Sequence, residues 1–149
     1  MLMTDSHARL NLYAETDIDS YFASMAKTAA QFGFSCRHLS DVTTSAQAIL
    51  NDEPLERPTP QLIASLSQSA AKWYRGPDTA AVAAVRYFAL NMIERRAVAH
   101  SFPDTIFITF NNSQFLDLFP RELPVFYMYS IKKGVAVKPG FIEDAHKAA

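Results

Sequence analysis

Residues 16–33 carry the clearest hydrophobic pattern in the chain. Ile18, Phe22, Met25, Ala29 and Phe32 recur at helical spacing opposite Ser20, Lys27 and Gln31, and the pattern stops at Gly33. That period predicts an amphipathic helix with a glycine stop, and Thr16, Asp17 and Asp19 supply its cap and acidic first turn. Upstream, residues 10–14 alternate, with Leu10, Leu12 and Ala14 on one side and Asn11 and Tyr13 on the other, which predicts a half-buried strand. Residues 34–39 (FSCRHL) read as a second short strand and residues 40–50 as a capped helix, so that strand, helix and strand form a parallel βαβ unit.

Residues 52–60 hold three prolines and read as a loop inside a single domain spanning residues 1–149. Beyond it, Leu62, Leu66, Ala70 and Trp73 mark one helical face. A longer pattern from Pro77 to about Ala99 carries Val82, Val85, Phe88, Ala89, Met92 and Ile93, and the two helices are expected to pack as a hairpin. After Pro103 the pattern changes to the near-continuous apolar runs IFITF (106–110) and VFYMYSI (125–131), which predict strands covered on both faces. Residues 113–119 suit a short helix, 134–138 an edge strand after a lysine-bearing turn, and the last ten residues a terminal helix. Half of the aromatic residues lie between Phe102 and Phe141, which places the expected core there.

The expected class is therefore α/β: a mixed sheet of about five strands with helices on both faces, in the order β α β α, a helical pair, then β α β β α. With Leu123 and Pro124 just ahead of the penultimate strand, this order resembles the thioredoxin-like fold, which places a cis proline before its terminal hairpin and helix. That family opens the helix after its second strand with two cysteines. Here Ser40, Asp41, Val42 and Thr43 stand in that place, so the resemblance implies a shared topology and no thiol chemistry. Another α+β arrangement remains the alternative.

Composition fits this picture. The 149 residues are 49% hydrophobic and 19% charged with four glycines, the profile of an ordinary globular domain. Lys and Arg number 14 against 15 Asp and Glu, a balance that argues against nucleic acid as a partner. A lone Cys36 excludes an internal disulfide and a multi-thiolate zinc site and suits a reducing compartment. With no apolar leader and no long apolar run, neither a signal peptide nor a membrane span is expected, and the chain reads as cytoplasmic.

Candidate chemistry is sparse. In an open parallel sheet, ligands sit at the carboxyl ends of the strands. The loops expected there bring together Thr16 and Asp17, then Ser40, Asp41, Thr43 and Thr44, then Asn111, Asn112 and Ser113. Two carboxylates among hydroxyls and amides suit a polar ligand or a cation, although Ser, Thr, Asp and Asn are also what helix caps require. Arg96 lies on the apolar arc of its helix with His100 one turn on, a pair that suits an anionic group and equally suits a helix carboxyl end. Lys72, Trp73, Tyr74 and Arg75 mix bases with aromatics but are too few for a nucleic-acid platform. Glu143 and His146 have a metal-pair spacing in a single copy, His38 reads as a satisfied, partly buried strand residue, and Ser65, Ser67 and Ser69 lack the glycines of a nucleophile elbow.

No catalytic residue, metal site or cofactor is expected. The leading expectation is a non-catalytic binding or adaptor protein with a protein partner or a second copy of itself. Its rival is an enzyme or small-ligand protein with Asp17, Asp41, Asn111 and Ser113 at the strand ends.

Overall fold

The computed structural model describes residues 1–50, 56–109, 125–130 and 137–141. In chain order its elements are β1 (Leu2–Met3), α1 (Asp5–Leu10), α2 (Glu15–Gln31), β2 (Arg37–His38), α3 (Leu39–Leu50), α4 (Pro60–Trp73), α5 (Ala80–Ser101), β3 (Phe107–Thr109), β4 (Val125–Ser130) and β5 (Val137–Phe141). Helix predominates. The strands fall into two separate sheets, a parallel β1-β2 pair and a β3-β4-β5 sheet, parallel at β3-β4 and antiparallel at β4-β5.

The expected five-stranded mixed sheet with helices on both faces is thereby overturned, and the thioredoxin-like resemblance, which needs all the strands in one sheet, goes with it. The difference begins at residues 10–14. Leu10 ends α1, Leu12 takes a left-handed φ of 59°, and Leu12 and Tyr13 are 60% and 62% exposed, so the alternation does not sort residues into core and solvent. A helix-forming signal one step upstream prevails: Asp5 occupies the first turn of α1 and pairs with Arg9 one turn later. The strand that pairs with β2 is the two-residue β1 instead. Pro124 and the expected 113–119 helix lie outside the described residues, as does the expected terminal helix except for Gly140 and Phe141, which belong to β5.

The helical expectations fare better. Helix α2 begins one residue before Thr16, with Ala14 at its cap making no side-chain bond, and it ends as its glycine requires. Gly33 adopts φ 79°, its amide donates to Ala30, and the Phe34 amide donates to Ala29, the paired bonds of a Schellman stop. Thr59 caps α4 through the Leu62 amide, with Pro60 at the first helical position, and Thr79 caps α5 through the Val82 amide.

Helices α4 and α5 pack as the expected hairpin around Leu62, Leu66, Ala84, Phe88 and Met92. The far half of α5 meets α3 through Leu39, Val42, Ala46, Ala97 and Val98. Helix α5 thus serves two partners along its length, and Val82 and Val85, expected in its apolar arc, are exposed instead. A third cluster, Met3, Ile18 and Phe22, joins β1 to α2, with Ala8, Met25 and Cys36 packed against it. Among the described residues no helix is long and apolar enough to cross a membrane.

Candidate functional site

Helix α1 has only six residues, too few to be stable alone. Two buried carboxylates hold it. Asp5, fully buried, accepts from the Ser40 amide at 3.1 Å, from the Ser40 hydroxyl, and from Arg9. Desolvation pushes the Asp5 carboxyl up, but the hydrogen bonds from Ser40 and Arg9 outweigh it and hold the pKa below the ordinary carboxylate value. Arg9, its own pKa raised chiefly by the bond to Asp5, also donates to both oxygens of Glu15 at 3.1 Å, which ties α1 to the start of α2. His38 Nδ1 sits 3.6 Å from Asp5 Oδ2, beyond hydrogen-bonding reach, and has no hydrogen-bond partner among the described residues, contrary to the satisfied histidine expected.

The second carboxylate, Glu94, is 5% exposed in the middle of α5. One of its oxygens accepts from the Ser6 hydroxyl, and the other lies 2.6 Å from His7 Nε2. The His7 ring stands edge-on to Tyr87, with centroids 5.2 Å apart. A carboxylate on one ring nitrogen fixes the orientation of the imidazole and sets its tautomer.

His7 is also where this network meets solvent. Between α1 and α2 lies a cleft of about 530 Å³ lined by Thr4, His7, Ala8, Asn11, Tyr13, Asp17, Ile18, Tyr21 and Phe22. Ile18 and Phe22 belong to the core, whereas Tyr13 and Tyr21 are more than 60% exposed. Asn11 is fixed by its side-chain bond to the His7 carbonyl at 3.0 Å. The cleft therefore combines a buried apolar floor, an aromatic rim and a few placed polar groups, the usual makeup of a small-molecule site.

Of the candidate site residues expected from sequence, only Asp17 lines this cleft. Asp41 is exposed on α3 and is not among the lining residues. The Thr43 and Thr44 hydroxyls both donate back to the Ser40 carbonyl, at 2.9 and 2.8 Å, which leaves them engaged with their own helix. Arg96 is half-buried and engaged in an interaction, and His100 is exposed in the last turn of α5. Asn111 and Ser113 lie outside the described residues.

Asp5, His7, Ser40 as a carboxylate partner, and Glu94 were not legible as a network. Local signals existed only for α1, in the Asp5 to Arg9 spacing. Among the described residues no group of His, Cys, Asp and Glu is placed to hold a metal ion. The chain matches no family model, no curated protein and no solved structure.

Proposed function

We propose that this chain is a binding protein of the reducing cytoplasm, without chemistry of its own, whose site is the α1–α2 cleft and whose ligand is a small molecule with an apolar body. The observation that carries the reading is the cleft of about 530 Å³, floored by Ile18 and Phe22. That volume lies within the roughly 300–1,000 Å³ range of small-molecule sites. Supporting it is the buried Glu94, which holds His7 in the cleft wall. The compartment rests on the lone thiol of Cys36.

Nuclear magnetic resonance titration with water-soluble fragments tests it. Shifts confined to residues 4–22, abolished by Ala8→Phe, which fills the space beside Ile18, support the reading. Shifts scattered over the surface, or unchanged in Ala8→Phe, overturn it.

Self-association is a second reading, favoured by Phe32 and Phe34, which stand 74% and 60% exposed around the stop of α2. Sedimentation velocity decides it: a dimer that dissociates in Phe32→Ser/Phe34→Ser is expected, and a monomer at every concentration ends the idea.

A further inference from the structure

The charges around the cleft narrow the ligand class. Among the lining residues Asp17 is the only carboxylate, and no lysine or arginine joins it. Asp17 is exposed on the first turn of α2 and forms no ion pair among the described residues. The nearest cation on α1, Arg9, is already bound by Asp5 and Glu15. His7 Nε2 is held by Glu94. Three of the other lining residues are aromatic: Tyr13 and Tyr21 at the rim and Phe22 in the floor, with Tyr21 edge-on to Phe22, centroids 5.2 Å apart.

A carboxylate with no cation of its own, among aromatic rings and over an apolar floor, repels an anion and gives a neutral guest no charge to pair with. An alkylated ammonium is different. Its positive charge is attracted both by the carboxylate and by the electron-rich ring faces, and its methyl groups lose little hydration on burial. Resting on the cleft reading above, we infer that the ligand of this site is an organic ammonium ion, with Asp17 as its counter-ion and Tyr13 and Tyr21 as its cation–π partners.

The test uses two probes of nearly equal size and shape: choline, and its uncharged isostere 3,3-dimethylbutan-1-ol. Each is titrated into the full chain and followed by amide shifts of residues 4–22. Choline is expected to bind at least about tenfold more tightly than the alcohol, the scale of a partly desolvated cation–π and ion-pair contribution. In Asp17→Asn that preference falls to less than about threefold, and Tyr21→Leu weakens choline while leaving the alcohol nearly unchanged. Asp17 and Tyr21 are exposed, so neither substitution threatens the fold, which circular dichroism verifies.

If the alcohol binds as tightly as choline, the ammonium assignment is overturned and the cleft reading stands. An unaltered preference for choline in Asp17→Asn overturns the counter-ion role. If neither probe shifts the cleft residues, both the assignment and the reading beneath it are overturned.

Discussion

His7 Nε2 lies 2.6 Å from Glu94 Oε2, a contact between residues 87 positions apart that fastens the short α1 to the middle of the longest helix. Ser6 occupies the other Glu94 oxygen, so two adjacent residues of α1 share one buried acceptor. Truncating it leaves the Ser6 hydroxyl and the His7 ring nitrogen without their partner. Glu94→Ala is expected to destabilise the chain by about 3 kcal/mol in urea denaturation, and Glu94→Gln, which keeps an acceptor, by about half as much. Equal losses from the two variants contradict the acceptor role.

Asp5 makes the fold sensitive to acid. Its folded pKa is lowered below its unfolded value, so its stabilising contribution is present at pH above about 4 and is lost as the pH falls through the folded pKa. Asp5→Asn is expected to lower stability at neutral pH and to flatten the fall in stability below about pH 4. A variant whose acid limb stays parallel to that of the parent contradicts this assignment. The measurement is the urea midpoint against pH.

At Gly33 a methyl group meets no atom within 4 Å, yet φ is 79°. The cost of Gly33→Ala is therefore conformational and not steric, and about 1 kcal/mol of destabilisation is expected by thermal unfolding. A neutral substitution means that α2 ends without the left-handed residue.

Leu66 is 4% exposed between α4 and α5. Leu66→Ala is expected to cost about 2 to 5 kcal/mol through lost transfer energy and the cavity left beside Phe88 and Met92. The denaturant slope should be unchanged. A loss under about 1 kcal/mol indicates that the helical hairpin is not a close-packed unit.

Helices α2, α4 and α5 were legible because their information is local: a regular apolar period, Gly33 as a stop, and Pro60 at a helix start. Within IFITF and VFYMYSI, Phe107–Thr109 form β3 and Val125–Ser130 form β4, but which strands share a sheet is set by pairing across the chain, and no residue within a strand declares its partner. Residues 10–14 misled because alternation over five positions carries little weight against a helix already begun at Asp5. Asp17 stands in the first turn of its helix as its pattern predicts, but the cleft it lines lies between α1 and α2 and not at the ends of sheet strands. Arg96 was the charge expected on the buried face of α5, and Glu94, two residues earlier, is the one that lies there. Its acceptance of two residues from the start of the chain is invisible to any helical period.

The shortness of α1 has a thermodynamic consequence. A single helical turn and a half cannot persist once its tethers to α3 and α5 let go, so the recess it walls exists only while distant parts of the chain hold together. Occupancy and integrity of the molecule are then one linked equilibrium: a guest present at a hundredfold its dissociation constant raises the unfolding free energy by about 2.7 kcal/mol, and anything that frays the first ten residues empties the recess before the helical hairpin melts.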